Sequence, residues 1–224
     1  MKRFTLAACA GLLAVAVASP SFAADMPRKA APYYVAPFSW TGFYVGINGG
    51  YGWGTSNWTN ASVSGSTKPK GGLAGGTIGY NLQTGNWVWG LEGDIDASWL
   101  KGSDNTAGGI CGGTNGCETK NSWLATGRGR IGYAWDRFLP FITGGAAFGD
   151  VKMTPNSGAS TSKSKLGWTA GAGVEYAFMG AWSVKGEYLY VDLGKSTCGA
   201  ATCGVDTDVT FKASIVRLGV NYRF

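Results

Sequence analysis

Histidine is absent from all 224 residues, and charge is scarce: Asp, Glu, Lys and Arg make up only 14% of the chain. An ordinary soluble domain carries roughly 25%. Without His there is no Ser-His-Asp or Cys-His nucleophile, and no His-ligated zinc or haem. Long apolar runs are also missing beyond the first residues, and the mean hydropathy is -0.01. What fills the chain instead is 38 Gly together with ten each of Trp, Tyr and Phe. Gly and aromatics in place of charge, without helix-length apolar blocks, point to a single Gly-rich β structure.

The N-terminus stands apart. Lys2 and Arg3 precede an apolar stretch from Phe4 to Val17, and Ser21-Phe22-Ala23 offers small residues flanking a cleavage point. This predicts a secretory signal peptide over residues 1–23, cut before Ala24. Leu6-Ala7-Ala8-Cys9 superficially matches a lipoprotein signal, but its apolar run follows the Cys instead of preceding it. Residues 24–40, with Pro27, Pro32 and Pro37 spaced by small residues, read as an extended periplasmic segment without a core of its own. With Cys9 removed, Cys111, Cys117, Cys198 and Cys203 remain. An even number of Cys in an exported chain predicts disulfides, most simply one within each close pair; none lies in a C-x-x-C spacing, so no metal site is expected. Lys and Arg number 19 against 13 Asp and Glu, and Lys2 and Arg3 leave with the leader. That mild excess on an exported chain excludes a nucleic-acid partner.

From Thr41 the pattern has period two. Phe43, Val45, Ile47, Tyr51 and Trp53 alternate with Tyr44, Gly46, Asn48 and Gly50, which places the two sets on opposite faces of one strand. Seven further stretches follow, starting near Ala74, Trp87, Trp123, Phe138, Leu166, Trp182 and Val216; only the stretch from Phe138 to Lys152 leaves its facing ambiguous. Each is taken as the ~9–11 residues that a tilted strand needs to cross a bilayer. Short turns at 83–86, 135–137 and 179–181 alternate with long connections near 55–70, 101–121, 153–164 and 195–207. Short turns on one side and long loops on the other are the signature of an outer-membrane barrel. Aromatics cluster at both strand ends, with Trp87, Tyr133, Trp135, Trp182, Tyr222 and Phe224 on the turn side and Trp53, Trp99, Trp123, Trp168 and Tyr190 on the loop side. A soluble barrel would centre them instead. The expected fold is all-β: an eight-stranded antiparallel up-and-down transmembrane β-barrel over residues 41–224.

Several blocks resemble a known family. Trp40-Thr41-Gly42-Phe43-Tyr44-Val45-Gly46 followed by Asn48-Gly49-Gly50-Tyr51-Gly52-Trp53-Gly54 is similar to the opening of the small outer-membrane β-barrel family of alphaproteobacteria. The likeness continues through Glu92-Gly93-Asp94, Pro140-Phe141-Ile142-Thr143-Gly144-Gly145-Ala146, Gly186-Glu187-Tyr188-Leu189-Tyr190 and the closing Asn221-Tyr222-Arg223-Phe224. It implies location in the cell outer membrane of a Gram-negative bacterium and a barrel distantly like the membrane domain of OmpA. Tyr222 and Phe224, in a terminal alternation of apolar residues, resemble the signal read by the barrel-assembly machinery, which is thus an implied partner. Members are variously called porins, surface antigens or haemin-binding proteins, so the family label leaves three activities open. No catalytic motif comes with the resemblance, and no cofactor is expected.

Eight strands leave an interior that side chains can fill. The inward face carries Glu92, Asp94, Asp96, Glu175 and Glu187 against Arg128, Arg130, Lys185, Arg217 and Arg223. Unpaired charges in a narrow lumen would cost several kcal/mol each, so pairing into a plug is expected. Paired carboxylates also suggest glycosidase chemistry, but between Arg partners they stay ionised and cannot act as a general acid. An enzyme is therefore not expected. Lys68, Lys70, Lys101, Lys120, Lys152, Lys163, Lys165, Lys195 and Lys212 fall in or beside the long connections, whereas Arg avoids that end. They are read as a collar meeting the outer-membrane lipid, through the phosphates of lipopolysaccharide. The functional reading is an integral outer-membrane barrel with a structural, envelope-integrity role and a charge-plugged lumen. The alternatives are a small-solute porin and a surface protein binding haemin or a host molecule.

Overall fold

The computed structural model describes residues 38–59, 64–104, 117–154, 161–198 and 207–224. These fold into nine strands: β1 (Gly42–Thr59), β2 (Ser64–Thr67), β3 (Lys70–Thr84), β4 (Trp87–Asp104), β5 (Cys117–Tyr133), β6 (Phe138–Thr154), β7 (Thr161–Met179), β8 (Trp182–Cys198) and β9 (Thr207–Arg223). Each long strand pairs antiparallel with its sequence neighbours, and β1 also pairs with β9, from Tyr44 opposite Arg223 to Thr59 opposite Asp208. Eight strands thus close into an antiparallel barrel. β2 is a short addition, pairing only with the outer end of β1.

The alternation seen in the sequence is the alternation of the wall. Phe43, Ile47, Leu91, Ile95, Leu166 and Leu218 face outward and are exposed. In water such a surface would drive aggregation; in a bilayer it is the solvated face. The ambiguous fifth stretch resolves with Leu139, Phe141, Thr143 and Ala147 inward and Phe138, Ile142 and Phe148 outward. Both sets contain large apolar residues, which is why periodicity alone could not choose. Turns fall at the anticipated positions. Gly85 and Gly180 adopt left-handed backbone (φ +61° and +51°), the region that tight two-residue hairpin turns require.

Two expectations need correction. The eight barrel strands run from 15 to 19 residues, well beyond the length of a bare crossing. β1 continues past Trp53 to Thr59, β4 past Trp99 to Asp104, and β8 past Tyr190 to Cys198. Much of what reads as long loop is therefore barrel wall rising above the outer aromatic belt. The boundary at residue 41 also shifts: Phe38 and Trp40 belong to the barrel, and Trp40 is almost wholly buried. The expected signal peptide (residues 1–23), most of the Pro-rich segment, Cys111 and Cys203 lie outside the described residues. Cys117 opens β5 and Cys198 closes β8, but their side chains likewise lie outside what the structure describes.

Candidate functional site

The interior is layered. Toward the outer end, Leu73, Leu100, Leu124, Leu189, Val191, Leu193, Phe211 and Ile215 fill the lumen as one buried apolar cluster. At the turn end a second cluster gathers Trp40, Val88, Ala134, Leu139 and Ala177, with Phe38 against it. Trp40 is fixed there by two hydrogen bonds: its backbone N–H donates to Gln83 Oε1 (2.7 Å) and its indole N–H to the Asp136 carbonyl (3.0 Å). Between the two apolar layers lies the charge.

Strand register assembles that middle layer. β4 contributes Glu92, Asp94 and Asp96 on successive inward positions, and Glu92 stands opposite Arg128 of β5. Glu175 of β7 is opposite Lys185 of β8, and Glu187 of β8 is opposite Arg217 of β9. Contacts then cross the lumen. Arg128 donates to Glu92, to Asp94 (2.6 Å) and to Glu187 (2.9 Å). Arg217 donates to Glu187 (2.6 Å), Asp94 (2.8 Å) and Asp96 (2.9 Å). Lys185 reaches Glu92 at 2.7 Å, and Arg130 reaches Glu175 at 2.8 Å while stacking over the Phe141 ring at 4.2 Å. All nine charged residues of this network are buried. Arg223 does not join it. It is half-buried at the turn-side mouth, over the Phe38 ring at 4.3 Å, and makes no ion pair among the described residues.

Five carboxylates face four cations, and neutral donors supply the balance. Tyr44 donates to Glu92 (2.6 Å), Thr77 and Thr126 to Asp94 (2.7 and 2.9 Å), and Ser183 and Asn221 to Glu175 (2.6 and 2.9 Å). Sequence reasoning missed these partners, because small polar residues on an inward face carry no charge signal. Tyr44 also accepts from Arg130 (3.2 Å), so one phenol joins both halves of the network. Removing that hydroxyl by Tyr44→Phe should cost about 1–3 kcal/mol, read as a lower urea midpoint for unfolding in detergent micelles. An unchanged midpoint would mean that the phenol is idle.

Oxygens of Glu92, Asp94 and Glu187 come within 4.8 Å of one another, a spacing that a metal ion could bridge. Arg128, Lys185 and Arg217 already take these oxygens, so the group fits no metal in addition. The carboxylates are likewise buried and paired with cations.

The lysines are not equivalent. Lys70, Lys101, Lys120 and Lys152 lie on the outward register of β3 to β6. Lys212 is exposed, opposite Asp192 of β8 and 3.7 Å from its carboxylate, and Lys195 is exposed opposite Thr210. Lys68 sits in the link between β2 and β3. Lys165 pairs with Gly149 on the lumen-facing register of β7, its ammonium 3.4 Å from the Lys195 carbonyl, and so departs from the lipid-facing set. Lys163 pairs with Val151, and its side chain is outside the described parts. At the other end Tyr222 packs against Trp182 (5.0 Å) and Phe224 (5.2 Å), and the Phe224 N–H donates to the Phe43 carbonyl (2.9 Å). The terminal residues are thus built into the closing seam.

Comparison with known proteins agrees with this architecture. The family model for the outer membrane protein beta-barrel domain matches residues 6–224. A 31 kDa outer-membrane immunogenic protein of Brucella melitensis is 39% identical, with all of both chains covered. A 25 kDa outer-membrane immunogenic protein of Brucella abortus is 34% identical over 91% of each chain. Among solved structures, the outer membrane protein OprG from Pseudomonas aeruginosa superposes with a TM-score of 0.54 at 14% identity, covering 82% of this chain and 97% of its own.

Proposed function

The chain belongs to the outer-membrane protein β-barrel family and resides in the outer membrane, and on that premise we propose that it is a structural envelope protein whose lumen is closed to solutes. The observation that carries this reading is the buried ionic layer between two apolar layers. Arg128 and Arg217 each hold three carboxylates in place, while Leu100, Leu124, Leu189 and Phe211 fill the bore above them and Trp40 fills it below. A hydrated ion entering would have to part the apolar packing and then compete with buried ion pairs. The relatives are named for being immunogenic outer-membrane proteins, which fits a non-enzymatic barrel displayed at the surface.

Planar-bilayer recording on protein extracted folded from outer membranes tests the reading. The parent should show no steady conductance. Steady, ion-selective openings would overturn it in favour of a small-solute porin, with the same charges as its selectivity filter. Changing Arg128 and Arg130 to Ala removes charge from the middle layer only. Because both apolar layers stay, that variant, once shown to be folded, should remain silent, and openings should appear only when Leu100 and Trp40 are both reduced to Ala as well.

A further inference from the structure

Four lysines stand side by side. Lys70 of β3 is the register partner of Lys101 of β4, Lys101 of Lys120 of β5, and Lys120 of Lys152 of β6. All four are on the outward face. Adjacent strands are about 4.8 Å apart, so four ammonium groups hang from one short arc of wall. Like charges directly opposite one another destabilise a sheet, and a surface with no use for them would intersperse neutral or acidic partners. The other side of the barrel does so: Lys212 faces Asp192, and Lys195 faces Thr210. Within the arc the acidic relief is slight. Glu118 pairs with Lys120 at 2.8 Å, and the Asp150 carboxylate is spent on the backbone N–H groups of Ser122 and Trp123.

Depth gives the ladder its meaning. On β4 the outward positions run from Trp87 to Trp99, roughly 30 Å of membrane normal for a tilted strand. That is about the hydrocarbon thickness. Lys101 occupies the next outward position after Trp99, Lys70 is opposite Trp53, and Lys120 and Lys152 follow just beyond Trp123 and Phe148. The row therefore lies where lipid headgroups begin, on a face that points at lipid.

We propose that the Lys70–Lys101–Lys120–Lys152 ladder is a binding site for the phosphate groups of outer-leaflet lipid, the phosphorylated lipid A of lipopolysaccharide. One clustered site on β3 to β6 replaces the uniform collar that the sequence suggests. The inference rests on the outer-membrane location and not on the closed lumen, so a conducting barrel would leave it intact.

The experiment measures binding of bisphosphorylated lipid A to the folded full chain in detergent micelles, with chemically dephosphorylated lipid A and inorganic phosphate as comparisons. Heat-modifiable gel migration checks that each variant is folded. The fourfold variant K70Q/K101Q/K120Q/K152Q should bind phosphorylated lipid A roughly several-hundredfold more weakly, each cation near a membrane surface contributing about fivefold. K195Q/K212Q should bind like the parent. Should the fourfold variant fail to fold, K70Q/K101Q and K120Q/K152Q should each show a roughly twentyfold loss. Equal affinity in folded ladder variants, or equal affinity of the parent for dephosphorylated lipid, would overturn the proposal. Binding of inorganic phosphate as tight as that of lipid A would overturn the lipid assignment and leave a free-anion site.

Discussion

Replacing Arg217 with Met should destabilise the barrel by about 3–5 kcal/mol, because it strands buried carboxylates that were paired. Three acidic groups depend on this one guanidinium, namely Asp94, Asp96 and Glu187, and they come from two different strands. Asp94 and Glu187 retain Arg128, but Asp96 has no other cation within ion-pair distance among the described residues. The change should therefore fall mainly on β4, where Asp96 sits next to the outer apolar layer. Urea unfolding in micelles reads the loss directly. Arg217→Lys should lie between the two, since it keeps the charge and loses the three-way fork. A Met variant within about 1 kcal/mol of the parent would show that the lumen tolerates unpaired charge, and the closed-lumen reading would lose its energetic basis.

The second large effect is steric. Gly50 is the register partner of Arg217 across the β1–β9 seam, and a Cβ built there would lie 2.3 Å from the Val216 carbonyl and 2.6 Å from Arg217 Cβ. Nothing flexible can yield, because both neighbours are backbone or attached directly to it. Gly50→Val should prevent the first and last strands from meeting in register, and the protein should remain unfolded on a heat-modifiability gel. Gly127→Val is the control. Gly127 faces lipid with nothing within 4 Å of its would-be Cβ, so the variant should fold normally. Equal folding of the two would show that seam glycines are not needed for closure.

That contrast also explains what composition could not. The 38 glycines look like one feature in the sequence, yet they do different work. Gly50 and Gly79 are inward and leave room for Arg217 and Tyr44, whereas Gly127 and Gly129 are outward and crowd nothing. The strands themselves were legible because lipid-facing Trp, Ile and Leu alternate with small or charged inward residues. β6 was not, because Leu139 and Phe141 inside are as apolar as Phe138 and Ile142 outside. Strand length was hidden for a related reason. Above Trp53 and Trp99 the wall meets water, its outward residues become Ser, Thr, Asn and Lys, and the alternation that marks a strand fades. Trp40 opens the block that carries the family resemblance, yet its burial in the lumen was not legible because an aromatic before the first alternating stretch reads as tail; only its contacts with Gln83 and Asp136, 43 and 96 residues away, give it a place. The ionic layer was visible as charged residues on the inward face of β4, β5, β7, β8 and β9, but its apolar lids were not, since Leu189, Val191 and Leu193 alternate with Tyr190 and Asp192 and look like ordinary strand.

The wall above the outer aromatic belt determines what the cell shows to its surroundings. Thr55, Lys212 and Asp192 are consecutive register partners on β1, β9 and β8, so residues far apart in the chain form one rigid surface patch. An antibody recognising that patch would read three strands at once. Its epitope would be composite, destroyed whenever the strands separate, and no linear peptide cut from the sequence would reproduce it.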